Sequence, residues 1–204
     1  MGVPTPPAQS VFRLRVTLHE VVPEVWRRVL VPGSVRLAKL HDVFQVAMGW
    51  TNSHLHSFTI DGQLYGMHFD DYPDEEIDEK KMTVLAAVGG QQRFFYEYDF
   101  GDSWEHEVVI EEVSRASQGL KHVCLDGQNT CPPEDCGGVP GYAELLEVLA
   151  DPDHQDHTQV LQWVAFDPAT CDLPASTSPC RICAEDPGSQ AGLLPSQRTG
   201  HSGT

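Results

Sequence analysis

YEYDFGDSWEHEV, residues 96–108, is the stretch whose reading decides the fold. Phe94, Tyr96 and Tyr98 alternate with Arg93, Phe95 and Glu97. Trp104, His106, Val108 and Ile110 then alternate with Glu105, Glu107 and Val109. Alternation at a period of two marks a half-buried strand, because successive side chains point to opposite faces. Between the two runs stands Asp99-Phe100-Gly101-Asp102. Asp can bond its own backbone and Gly accepts positive φ, so this is turn chemistry. Two strands, Arg93–Asp99 and Trp104–Val113, joined by a tight turn, are therefore predicted.

The same patterns extend in both directions. Val11–Leu18 places Phe12, Leu14, Val16 and Leu18 on one side of a further strand. After Pro23, Val25–Val31 reads as another strand. Its Arg27 and Arg28 fall on opposite faces, so one of them should sit at an edge or snorkel. Ser34 is a candidate N-cap, Leu37, Leu40, Phe44 and Ala47 recur at helical spacing, and Gly49 ends the run, which predicts a helix over 35–48. His54–Ile60 is a strand, Asp61-Gly62 a hairpin turn, and Gln63–Tyr65 the return. HFDDYPDEEIDEKK (68–81) reads as an acidic surface loop, and Thr83–Val88 as a short helix before Gly89-Gly90. Residues 121–141 read as irregular. Tyr142–Leu149 is helical, and Asp153 can cap a last helix to about Val164. After Asp167 the apolar period is lost. The expected organisation is a disordered lead at 1–10, one domain at 11–168 and a disordered tail at 169–204. Strands dominate the first half and helices the second. The fold class is α+β, a mixed or antiparallel sheet with helices packed mainly on one side, in a single domain.

Composition narrows the function classes. The formal net charge is −17 over 204 residues. Residues 1–60 hold six bases (Arg13, Arg15, Arg27, Arg28, Arg36, Lys39) and three acids (Glu20, Glu24, Asp42), so that third is +3 and the remainder −20. Such a surface repels phosphate backbones and leaves room for weak or local nucleic-acid contact on the basic third alone. No run approaches the ~20 apolar residues of a membrane span, and the first residues lack an apolar signal core, so a cytoplasmic protein with no membrane contact is expected. In that setting the six cysteines (124, 131, 136, 171, 180, 183) are expected as thiols or metal ligands rather than disulfides.

Four constellations could carry chemistry. Asp99, Asp102 and His106 flank the turn, and two carboxylates with an imidazole can bind a divalent metal or act as acid and base. His54-Leu55-His56 places two imidazoles on one strand face, about 7 Å apart, as a chelating pair requires. Cys124, Cys131 and Cys136 lie within 13 residues, with Glu134 and Asp135 between the last two. Three thiols could hold zinc with a fourth ligand, although the spacing matches no standard zinc pair. Cys180-Arg-Ile-Cys183 is a lone CxxC, preceded by Cys171. The DFG at 99–101 lacks the glycine-rich loop, catalytic loop and paired Lys of a kinase. G-x-S-x-G, G-x-x-x-x-G-K-[ST] and G-x-G-x-x-G are all missing, which removes the main support for serine hydrolase, nucleotide hydrolase and dinucleotide enzyme.

FRLRVTLHEVVPEVWRRVLVP (12–32), LHDVFQVAMGWTNSHLHSF (40–58), YEYDFGDSWEHEV and CLDGQNTCPPEDCGGVPGYAELLEVL (124–149) follow one another in that order. Together they resemble the Ri-plasmid open-reading-frame-three-like family, also described as the TnpR-like passenger protein family of an insertion element. The resemblance covers residues 11–168. Its pattern falls on Trp26, Trp50, His54, His56, Tyr98, Asp99, Gly101, Asp102, Trp104, His106, Cys131, Pro132, Glu134, Asp135, Gly137 and Gly138. It implies a compact bacterial α+β domain found near mobile elements and without a settled activity. The chain departs from the family after Phe166-Asp167-Pro168, where it runs into CDLPASTSPCRIC.

The function expected from these residues is an uncharacterised, mobile-element-associated accessory or binding domain acting through a protein partner. The alternative is a metal-dependent enzyme or metal-stabilised site, holding zinc or another divalent ion. Its ligands would come from His54, His56, Asp99, Asp102, His106, Cys124, Cys131, Glu134, Asp135 and Cys136.

Overall fold

The computed structural model describes residues 10–67, 76–115 and 122–164. Its elements in chain order are β1 (Ser10–Leu18), β2 (Trp26–Pro32), α1 (Leu37–Met48), β3 (His56–Ile60), β4 (Gln63–Gly66), β5 (Ile77–Asp78), α2 (Val84–Val88), β6 (Arg93–Tyr98), β7 (Trp104–Arg115), β8 (Val123–Gln128), α3 (Gly138–Ala150) and α4 (His157–Trp163). The strands form one sheet in the order β5-β4-β3-β6-β7-β1-β2-β8. The β4–β5 pair is parallel and the others are antiparallel, so the sheet is mixed.

Register explains why one face is buried. Leu14 pairs with Val29 and Ile110, Val16 with Val108, Phe94 with Val108, Tyr96 with His106, Phe58 with Tyr96. Directly opposed residues in an antiparallel pair share a face. The alternating apolar sets of β1, β2, β3, β6 and β7 therefore merge into one surface. Helix α1 lies on it, and Phe44 meets Tyr96 edge-on at 5.2 Å between ring centroids. Tyr142 and Leu145 of α3 join the same core cluster. The opposite face carries Arg13, Arg15, Trp26 and Arg28, with the Arg15 and Arg28 guanidinium groups over the Trp26 ring at 4.8 and 5.0 Å. The α+β class, the mixed sheet and the one-sided helices are as the sequence predicts.

Several local expectations change. Ser34 does not cap α1. Arg36 holds the N-cap position in extended conformation without a side-chain bond, and Arg36 bridges Thr83 instead. Helix α4 starts after Asp156 rather than Asp153. Residues 123–128, predicted irregular, form edge strand β8. Part of the acidic run forms β5, and Glu79 just beyond it is buried. Arg27 neither snorkels nor sits at an edge. It faces the core at 3% exposure, because Ala47 O, Trp26 O and Gln128 O accept its N–H groups at 2.9, 2.8 and 3.1 Å. Ser10 already belongs to β1. The rest of the predicted lead, all of the tail, Cys171, Cys180 and Cys183 lie outside the described residues.

Candidate functional site

The β6–β7 turn, the segment between α1 and β3, and the loop between β8 and α3 meet at one end of the sheet. Asp99 and Ser103 adopt positive φ of 59° and 51° in the turn, and Asn52 (60°) and Asp135 (59°) do so in the two facing segments. Left-handed backbone is uncommon outside glycine and persists where surrounding contacts enforce it.

Those contacts are specific. The segment after α1 is set by a closed ring of hydrogen bonds beneath it. His41 donates from Nε2 to Asn52 Oδ1 at 2.7 Å and accepts the Tyr96 hydroxyl at Nδ1 at 2.8 Å. The Tyr96 oxygen accepts from Gln45 Nε2 at 3.1 Å, and Gln45 Oε1 accepts the Asn52 N–H at 3.0 Å. Burial, with the neighbouring His56 adding to it, lowers the His41 pKa to about 4, so the ring holds a neutral imidazole.

The β8–α3 loop is pinned from two sides. Trp50 Nε1 donates to Pro132 O at 2.9 Å. Glu134 accepts from the Tyr98 hydroxyl and from the hydroxyl and N–H of Thr51. Burial alone would raise the Glu134 pKa, but the bonds from Thr51 and Tyr98 outweigh it and hold the carboxyl below its ordinary value. On the other side Asp102 Oδ2 accepts the Gly137 N–H at 3.1 Å. A Cβ on Gly138 would stand 2.5 Å from Asp102 O, and Gly138 has φ +68°, so only glycine fits there.

At the mouth so formed, His54 Nε2 lies 3.2 Å from Asp135 Oδ1 and 3.6 Å from Asp99 Oδ2. The three ligand atoms lie within 4.8 Å of one another. His54 Nε2 is buried but makes no hydrogen bond among the described residues. Asp99 is oriented from behind, because its Oδ1 accepts the N–H groups of Gly101 and Asp102 at 3.0 and 3.4 Å. Its Oδ2 is thereby left toward His54.

The sequence-predicted site residues part company here. His56 opens β3, whereas His54 precedes it, so the strand alternation does not reach back to His54. His56 turns into the core, its Nε2 2.8 Å from Glu79 Oε2 and its ring stacked on His41 at 3.4 Å. His106 is fully buried. Its Nδ1 donates to Tyr96 O at 3.2 Å, and desolvation lowers its pKa to about 4. Asp102 and Glu134 hold the loop, as described. The thiols diverge. Cys124 lies on β8, the Cys131 thiol contacts Met48 Sδ at 3.1 Å, and burial with Asp102 nearby pushes the half-buried Cys136 thiol up to about 11. His54, Asp99 and Asp135 are the members of the predicted set whose ligand atoms converge. Thr51, His41 and Glu79 were missed. His41 alone had a signal, because it follows Leu40 on the buried stripe of α1.

Comparison with known proteins fits this architecture. The profile of the plasmid pRiA4b ORF-3-like protein family matches residues 10–175. The chain belongs to that family. A relative is the uncharacterized protein y4hQ of Sinorhizobium fredii, 46% identical over 156 residues that cover 76% of this chain and 80% of that one. A similar solved structure is the protein of unknown function MM3350 from Methanosarcina mazei Go1. It superposes with a TM-score of 0.73 at 31% identity, covering 82% of this chain and 97% of that chain. These relatives are themselves uncharacterised, and no catalytic family is indicated. No helix among the described residues is long and apolar enough to cross a membrane.

Proposed function

We propose that this chain is a cytoplasmic accessory domain of bacterial mobile-element type whose binding end is organised by a divalent cation, zinc by preference, held by His54 Nε2, Asp99 Oδ2 and Asp135 Oδ1. The observation that carries the reading is the state of His54 Nε2. It is buried between two carboxylate oxygens at 3.2 and 3.6 Å yet aligned to hydrogen-bond neither. A ring nitrogen that makes no hydrogen bond and faces two carboxylate oxygens is a donor set that suits a divalent cation. Zinc bonds of ~2.0–2.1 Å in a tetrahedron separate ligand atoms by about 3.4 Å, close to both distances. The backing of Asp99 by two N–H groups is the kind of outer contact that fixes a ligand's orientation.

A cation at this point would tie the β6–β7 turn to the β8–α3 loop and complete a rigid docking rim. A protein partner suits the electrostatics better than a nucleic acid. Arg13, Arg15 and Arg28, on the sheet face away from the helices, are engaged by Glu112, Glu24, Glu111 and Asp126, so that face offers little uncompensated charge. Titration with zinc in competition with a chromophoric chelator tests the site. Wild-type protein is expected to bind one ion, and Asp99→Asn and Asp135→Asn to bind at least about tenfold more weakly. Equal affinity in all three proteins overturns the reading.

A second reading, a metal-dependent enzyme, is favoured by one feature. Three protein ligands leave a coordination position open, as catalytic zinc sites do. Zinc-dependent turnover of an activated ester or phosphate ester, lost in Asp99→Asn, is its test, and inactivity of the fully loaded protein speaks for the binding domain.

A further inference from the structure

Arg27 sets up a second site that does not rest on the cation centre. It is buried on the core face of β2, and its three hydrogen bonds, two from Nη1 and one from Nε, all go to backbone carbonyls. Among the described residues it makes no ion pair and Nη2 makes no hydrogen bond. Burying a cation without a counter-charge is costly, and such charges are ordinarily paired. The neighbouring arginines show the contrast, since Arg13, Arg15 and Arg28 are only half-buried and all have carboxylate partners.

Arg27 also lines a cleft of about 250 Å³ between the C-terminal end of α1 and the β8–α3 loop. Met48, Trp50, Pro132 and Pro133 supply apolar walls, and Glu134 stands at the rim. Glu134 makes no ion pair with Arg27; its two oxygens accept from Tyr98 and Thr51 instead. A concave space that sets a buried charged group beside apolar walls is a usual form of a small-molecule site. A guanidinium nitrogen left without a partner, as Nη2 is here, can donate to carboxylate and phosphate oxygens.

We propose that this cleft binds a small organic oxyanion, a carboxylate or phosphate on a flat apolar body, with the anionic group at Arg27 and the body against Trp50 and the two prolines. The cleft has room for a single ring. The carboxylate and phosphate sources share this chemistry and separate by experiment.

The Trp50 indole N–H, bonded to Pro132 O, is a built-in reporter. Nitrogen–proton NMR of the full-length protein would follow it during titration with benzoate, phenyl phosphate and benzyl alcohol, before and after zinc removal on a chelating resin. A saturable shift is expected with benzoate or phenyl phosphate, and none with the neutral alcohol. A response to benzoate alone assigns a carboxylate ligand, and to phenyl phosphate alone a phosphate ester. Arg27→Met is expected to weaken the binding about tenfold or more. If that variant does not fold, Pro133→Phe, which fills the cleft and leaves the Arg27 bonds in place, is expected to abolish it. Absence of a saturable shift up to ~10 mM of either anion overturns the proposal, as does unchanged affinity in the folded variants or an equal response to benzyl alcohol. Persistence of the shift in zinc-free protein keeps the outcome separate from that of the cation site.

Discussion

At the scale of single residues, the chain divides its histidines by environment. His54 stands at the mouth with an unbonded Nε2, while His56 and His106 are sealed in the core. Their substitutions should therefore differ in kind. His54→Gln is expected to weaken zinc binding while leaving the urea midpoint of the metal-free protein nearly unchanged, since the side chain is partly exposed and its ring is not part of the buried network. Glu79→Ala should do the reverse. The His56–Glu79 pair has side chains only 4% and 3% exposed. Removing one partner of a buried hydrogen bond leaves the other unsatisfied and costs roughly 1–3 kcal/mol. Equilibrium urea unfolding measures that loss, and a change below about 1 kcal/mol would show that the pair is not needed.

At the scale of elements, the site exists because the β8–α3 loop is clamped on the β6–β7 turn, and glycines make the clamp possible. A Cβ on Gly141, in the first turn of α3, would lie 1.9 Å from Cys136 O, a backbone atom that cannot yield without moving the loop. Gly141→Ala should cost about 1–3 kcal/mol and lower metal affinity together with stability, whereas His54→Gln lowers affinity alone. Thermal unfolding with and without zinc separates the two. Sequence reading reached the elements whose own residues alternate: β1, β3, β6, β7 and the helix carrying Leu37, Leu40 and Phe44. It missed β8, whose Val123-Cys-Leu-Asp-Gly-Gln has no alternation and is a strand because β2 pairs with it. The site was legible as residue types around the turn. Which histidine would reach Asp99 was not, because that depends on β3 starting at His56. Glu79 and Arg27 were misplaced for a related reason. The acceptors and partners that make their burial tolerable come from distant segments, which no local pattern announces.

At the scale of the whole molecule, the buried histidines tie stability to pH. Desolvation lowers His41 and His106 from the ordinary 6.5 to about 4 in the folded protein. Between those values the unfolded chain binds more protons than the folded one, so stability rises with pH through that window. The contribution is complete above 6.5 and is lost as pH falls toward about 4. By pH 5 each histidine should cost roughly 2 kcal/mol. Urea unfolding at pH 7 and pH 5 should show the difference, and replacing His106 with a non-titrating residue should reduce the slope. The proposed cation centre would sit at the junction of three segments. Elemental analysis after zinc reconstitution and gel filtration tests it most directly. One zinc per chain in the wild-type protein, and markedly less in Asp99→Asn and His54→Gln, is the predicted result. A folded wild-type protein that retains no zinc or other divalent ion would contradict it.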